Sequence, residues 1–272
     1  MNWSRAKTIL IALLLAVNIF LLVTYIMRDN EVRRDEMTVR SDVCRILSAQ
    51  GIYVDESVVP LDSVKIRPAM LIVSQNEQKS AERLFGNGTQ SLAYDGTTFS
   101  GEGGSIMFSG GVFSLVYESG RSIDNSDDAK KLAGDIAAKL GVPMSLRQIE
   151  CNIAENGYEA RVPSLVSGVC VFDCDAEMKI SSSGSVIASG KLIGGRLITV
   201  NGDIISTSAL MLSFADQLKE KGINTLQISK IELGYVSKSP AAGRISLVPM
   251  IKITAEQGVF YMDMQTSRLC EI

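Results

Sequence analysis

Twenty consecutive residues without a formal charge, Thr8 to Met27 (TILIALLLAVNIFLLVTYIM), set the first constraint on this chain. An α-helix rises about 1.5 Å per residue, so the run makes roughly 30 Å of apolar rod, the thickness of a bilayer's hydrocarbon core. Trp3, Arg5 and Lys7 precede it and Tyr25 and Arg28 close it, as interfacial aromatics and basic residues do at the two ends of a spanning helix. A cleaved signal peptide is the rival reading. The run exceeds the usual h-region of about 7–15 residues and no A-x-A-like site follows. We therefore expect a retained transmembrane helix over 8–27, behind a short polar tail at 1–7.

Charge does not orient this anchor. Arg5, Lys7 and the amino terminus on one flank match Arg28, Arg33 and Arg34 on the other, and the positive-inside rule largely ignores the neighbouring acids. The chain is 46% hydrophobic, much of it in the anchor, with net charge −3 and a pI of about 5.2. A nucleic-acid partner would call for a basic face, so none is expected.

Histidine is absent, which removes Ser-His-Asp and Cys-His catalysis and most zinc sites. Five cysteines, Cys44, Cys151, Cys170, Cys174 and Cys270, are scattered and odd in number. Cys170 and Cys174 fall in a strand-like run, where four residues span roughly 13 Å, beyond disulfide reach. Free thiols behaving as small hydrophobes are expected. Asp127-Asp128 read as a helix start, and Asp173 and Asp175 as strand residues flanking Cys174. Ser4 and Lys7 sit where no pocket can form. We expect no enzyme, no metal and no cofactor.

After the anchor, no Gly or Pro occurs before Gly51. Val32, Val39, Val43, Ile46 and Leu47 recur near helical spacing, which predicts a juxtamembrane helix over 28–51. It either continues the anchor or breaks at Asp29-Asn30, and serves either as a solvated spacer or as a rigid lever. A first α+β module is expected over 52–123. It has strands in IYVDESVV and in VKIRPAMLIV around Pro68, and a short helix from an Asn76 cap to Gly86. An Asn87-Gly88 turn follows, then three strands between Gly-rich turns. The second region, 124–272, begins with a helix capped by Ser126 whose apolar face is Ala129, Leu132, Ala133, Ile136, Ala137 and Leu140, stopped by Gly141 and Pro143. Strands are predicted around 148–154, 157–163, 169–180 and 185–192. A second helix, capped by Ser206, turns Leu210, Met211, Phe214, Ala215 and Leu218 inward, and strands follow in 226–235, 246–254, 258–264 and 267–272. In the first of these the apolar parity switches near Ser229-Lys230, which implies a bulge or turn. Fold class is thus α+β: an N-terminal transmembrane helix, a juxtamembrane helix, and repeated helix-plus-antiparallel-sheet modules.

Asn18 is the one amide in the apolar run. Lipid offers it no hydrogen bond, so a neighbouring helix, a water defect or an identical chain must. Asn18, with Phe20 beside it, is the candidate partner-binding site.

The opening, with Trp3, Lys7, Thr8, Ile9 and the Asn18-Ile19-Phe20-Leu21 core, resembles the start of the YycI family. The tail resembles that family's closing module through Gly234-Tyr235, the strand led by Pro249, and the hairpin bearing Tyr261 and Asp263. An aromatic expected in the Pro-led strand is replaced by Met250 and Ile251, and the middle third agrees in layout only. The resemblance implies a single-pass membrane protein with residues 1–7 cytoplasmic and 28–272 extracytoplasmic. It would act with a YycH-like partner on a WalK/YycG-like sensor histidine kinase, largely through transmembrane helices, to adjust two-component signalling in cell-wall homeostasis. Asn18 would then face a helix of the kinase or of the YycH-like protein. A membrane-anchored binding module, a peptidase inhibitor or a reader of wall fragments, is the alternative; an apolar groove with convergent polar groups would mark it.

Overall fold

The computed structural model describes residues 3–62, 66–73, 76–86, 89–93, 96–142, 144–241 and 244–271. The turn predicted at Asn87-Gly88 and the helix stop at Pro143 lie outside them. The protein is α+β, with an N-terminal apolar helix and a large, mostly antiparallel sheet.

Helix α1 (Trp3–Ala49) is a single helix of 47 residues. With no Gly or Pro through Gln50, nothing in the sequence interrupts its backbone ladder. The alternative break at Asp29-Asn30 does not occur. Its apolar part is long and apolar enough to cross a membrane, and none of that stretch is buried against the rest of the protein. The helix ends where predicted. Gly51 takes φ +85°, and a Cβ there would collide with the carbonyl oxygen of Asn224, so both its conformation and its space require glycine.

The chain continues as β1 (Ile52–Val54), β2 (Ala69–Val73), α2 (Glu77–Phe85), β3 (Thr89–Ala93), β4 (Gly96–Gly101), β5 (Gly104–Ser109) and β6 (Val112–Glu118). Then come α3 (Ser126–Lys139), β7 (Glu150–Ala154), β8 (Gly157–Val166), β9 (Val169–Ser181), β10 (Ser185–Gly190) and β11 (Gly195–Thr199). Last are α4 (Thr207–Glu220), β12 (Leu226–Ala241), β13 (Arg244–Ala255), β14 (Gly258–Asp263) and β15 (Leu269–Cys270). Several details differ from expectation. Strand β11 is not among those predicted, and of VKIRPAMLIV the strand holds Ala69 to Val73, after Pro68. The stretch IYVDESVV is half strand, because the Asp55 carboxylate accepts from the Ser57 amide at 2.7 Å and starts a 3-10 turn. Four strands, not three, occupy 89–118. The cap of α3 is Asn125 rather than Ser126: its Oδ1 accepts from the Asp128 amide at 2.9 Å, and Ser126 is the first helical residue.

The chain forms two compact units. The first comprises 1–65, 205–231 and 253–259. Here the last turns of α1 pack against α4 and β1, and β1 pairs in parallel with the start of β12, Ile52 opposite Leu226. Val43, Cys44 and Leu47 of α1 are buried, as are Leu210, Met211, Phe214, Ala215 and Leu218 of α4. Those five are the predicted face. Ser206 caps α4, accepting from Ala209 at 3.3 Å, and Asp62 accepts from the Ser208 amide of its first turn at 3.1 Å.

The second unit comprises 66–204, 232–252 and 260–272. Its strands run in the order β11-β2-β13-β12-β9-β10-β6-β5-β4-β3, with β7 and β8 extending from β9, and β15 paired to β14. The predicted face of α3 is buried in one core with Met178, Ile180, Val186, Ala188, Ile106 and Leu115. A second cluster gathers Leu71, Val171, Cys174, Ile193, Tyr235 and Leu247. Strand β12 shows the predicted switch of face: Leu226 and Ile228 are buried, Ser229 and Lys230 are both exposed, and Ile231 and Tyr235 are buried. The strand stays continuous through the switch.

The cap assignment has a direct check. Asn125→Ala should cost about 1 kcal/mol of stability and Ser126→Ala only a few tenths, read as a drop in melting temperature. Equal losses would contradict it.

Candidate functional site

Asn18 and Phe20 lie on α1 and are both exposed. Two residues on an α-helix turn through about 200°, so these side chains leave opposite sides and do not belong to one helix–helix seam. The helix brings together instead those residues that repeat with its pitch.

In the second unit the polar residues converge at an irregularity of β9. Its pairing with β8 runs Pro163 opposite Asp175 and then jumps to Ser164 opposite Val171, so Phe172, Asp173 and Cys174 are looped out of register. Such bulges bend a strand and re-aim its side chains. On the other side, β9 and β12 pair in parallel at Tyr235 and Val171. Beyond that pair the Asp173 carboxylate replaces the backbone ladder. Its Oδ1 accepts from the Ser237 amide at 2.8 Å and its Oδ2 from the Ser237 hydroxyl at 2.5 Å. Lys191 Nζ donates to Ser237 Oγ at 2.7 Å and lies 3.7 Å from Asp173 Oδ2, and Cys174 Sγ donates to the same hydroxyl oxygen of Ser237 at 3.6 Å.

A serine–lysine nucleophile needs an amine free to take the hydroxyl proton. Here the lysine is the donor and ion-pair partner, and the hydroxyl proton is directed at a carboxylate. The cluster therefore works as a polar clamp between strands. Asp175, the other acid flanking Cys174, is paired with Arg161. Among the described residues, no group of three or more Cys, Asp or Glu side chains is placed to hold a metal ion.

The residues of the tail motif meet beside the same bulge. Gly234 has the Phe172 ring and the Cys170 carbonyl where a Cβ would be. The buried Tyr235 hydroxyl donates to Arg67 O at 3.0 Å. The Tyr261 ring lies 5.7 Å from that of Phe172, and Lys252 Nζ stands 5.6 Å over the Phe172 face. Asp263 accepts from the Gln265 amide at 2.7 Å and closes the turn before β15, while the Pro249 carbonyl accepts from the Met264 amide at 3.0 Å.

A groove of about 520 Å³ opens along β8, β9 and β10, lined by Glu155, Asn156, Glu159, Lys179, Ser181 and Ile187 among others. Lys179 and Glu159 stand 3.9 Å apart in it. Its lining mixes these polar and charged groups with Ala154, Tyr158, Ile180 and Ile187.

All five cysteines are free, with Cys44 and Cys174 buried. Burial pushes the Cys174 thiol up to about 11, against the hydrogen bond to Ser237 that acts in the opposite sense. Lys191 and Ser237 were not legible as site residues. The one hint of them was Asp173 beside the apolar run Val169 to Phe172, in a strand that also carries Asp175, Glu177 and Lys179.

The crystal structure of an uncharacterized protein from Eubacterium rectale ATCC 33656 shares the fold, with a TM-score of 0.54 and 12% identity over 76% of this chain and 86% of that one. At that identity the likeness is one of fold. The Bacillus megaterium YpeB C-terminal domain aligns with a TM-score of 0.34 and 12% identity, over 72% of this chain and 94% of that one. No family model and no curated protein matches the sequence.

The Cys174 environment sets a pH dependence. A thiol whose pKa is raised on folding contributes stability that is whole below its unfolded value near 9 and is lost as pH rises toward about 11. The full loss is about 3 kcal/mol. Melting temperature should fall across that window, and Cys174→Ala should flatten the fall. An equally steep profile in the variant would refute the assignment.

Proposed function

We propose that this protein is a non-enzymatic, membrane-anchored accessory regulator of a sensor histidine kinase of the WalK/YycG type. It acts with a YycH-like partner in cell-wall homeostasis, as the YycI-like opening and tail imply. In this reading residues 8–27 span the membrane, 1–7 are cytoplasmic and 28–272 are extracytoplasmic. The two helix-then-strand stretches that begin at α3 and α4 are then copies of one YycH/YycI-like module.

One observation carries the reading. Helix α1 is unbroken from the apolar segment to Val43, Cys44 and Leu47, which are buried in the first unit. A flexible spacer would absorb a movement of the folded part, whereas a continuous helix transmits rotation and translation into the bilayer. Contacts between membrane helices contribute about 0.6 kcal/mol per hydrogen bond on average and up to about 2. A lever that re-aims Asn18 therefore adjusts an association rather than creating one.

Helical phase provides the test. Two alanines inserted after Asn30 rotate the anchor by about 200° relative to the folded part, and seven rotate it by about 700°, close to two full turns. Phosphorylation of the kinase's response regulator should depart from wild type with two alanines and largely return with seven. Wild-type output from both insertions would sink the lever. Protease shaving of intact cells checks the topology. It should remove the folded part and leave a small membrane fragment, whereas a soluble folded part beginning near Arg28 in the medium contradicts a retained anchor.

A further inference from the structure

Six residues of α1 recur at intervals of seven: Ile11, Asn18, Tyr25, Val32, Val39 and Ile46. All six are exposed. Seven residues fall about 20° short of two full turns, so the stripe winds slowly around the helix in the sense that a left-handed helix pair follows. Inside the apolar run a stripe of this kind has no contrast, since every neighbour is apolar. Outside it the contrast is sharp. Val32, Val39 and Ile46 remain 48%, 44% and 41% exposed among Arg33, Arg34, Asp35, Asp42 and Arg45.

The bilayer does not reach the outer two: Val32 lies roughly 7 Å beyond Met27, at the edge of the headgroup layer, and Val39 roughly 18 Å beyond it. Ile46 lies nineteen residues beyond Met27, roughly 28 Å along the helix, past any headgroup layer. The protein's own first unit does not cover them either, since it buries the adjacent Val43, Cys44 and Leu47 instead. Apolar side chains every seventh residue, with a single asparagine in the same row, match one of the two seam positions of a paired-helix heptad, the one at which an asparagine sets register.

The charges beside the stripe choose the occupant. Three residues after each stripe position come Leu14 and Leu21 in the apolar run, then Arg28, Asp35, Asp42 and Ala49. Two copies of this chain paired in one membrane would run parallel and in register, so Arg28, Asp35 and Asp42 would each meet its own duplicate across the seam. Arg45, 2.9 Å from Asp42, offsets one of them. Arg28 and Asp35 would still oppose themselves, which disfavours the pairing.

We propose that Val32, Val39 and Ile46 continue, outside the bilayer, a seam begun within it by Ile11, Asn18 and Tyr25. Its occupant is a helix of a different membrane-anchored chain that leaves the membrane on the same side. That helix is apolar along the contact, acidic opposite Arg28 and basic opposite Asp35. The inference rests on the anchored reading above and adds the partner's chemistry, without depending on the partner being a kinase.

The test places a photo-crosslinking amino acid at 32, 39 or 46 of the full-length protein in cells, with Asn30 and Met37, on the opposite side of α1, as controls. The stripe positions should crosslink several-fold more than the controls. Mass spectrometry should locate the crosslink in a membrane-proximal helix of another chain, with an acidic residue and a basic residue one heptad apart. Val39→Asp and Asp35→Lys should each lower the yield at position 32 several-fold while leaving the melting temperature of the folded part unchanged. Such a helix in a chain unrelated to histidine-kinase signalling supports the seam and defeats the proposed function. Crosslinks mainly to a second copy of this protein, equal yields on both sides of α1, or capture of a non-helical segment would overturn the seam.

Discussion

The structure depends on one constraint above the rest, the backbone hydrogen bonding of α1. In a hydrocarbon layer each peptide group must find its partner within the chain, which leaves helix as the form for residues 8–27 in the proposed anchor. Once begun, that ladder meets no Gly or Pro until Gly51, so the helix carries on through the charged stretch that follows. Its last turns are not an appendage. Val43, Cys44 and Leu47 are core residues of the first unit, and Gly51 turns the chain so that Ile52 pairs with Leu226. The apolar segment and the first unit thus share one element.

Much of this was legible because it is local. Helical periodicity located α3 and α4 and named their buried faces, and Asn76 and Ser206 announced their helices by side-chain capping. The α3 cap was missed by one residue, because Asn125 and Ser126 are nearly equal as caps and only geometry separates them. The extra strand in 89–118 was missed for a related reason: Gly-rich turns mark where a strand ends without counting how many fit between them.

The β9 bulge was not legible, because pairing register is a property of two strands rather than one. Read alone, Val169 to Ile180 is a regular strand with Phe172 and Cys174 on one face. The structure loops out three residues, so Asp173 bonds Ser237, Lys191 completes the clamp, and Phe172 covers Gly234. Gly234, Tyr235 and Tyr261, which carried the family resemblance, turn out to surround this one irregularity. Their chemistry is that of packing and strand alignment. For the proposed partner-binding seam the sequence offers Asn18, an amide in an apolar run that asks for a neighbour, while the row of residues that shares its side of α1 follows only from the pitch of an unbroken helix.

Continuity of α1 across the edge of the apolar segment is the claim on which the functional account turns. Hydrogen exchange of the full-length protein in lipid bilayers measures it directly at the amides of Arg28 to Asp35. The account predicts slow exchange there, graded into the protection of Val43 to Leu47, because each amide stays bonded to the carbonyl four residues earlier. Exchange at the rate of an unstructured peptide across Asp29 to Arg33, between two protected segments, would show a hinge and contradict it.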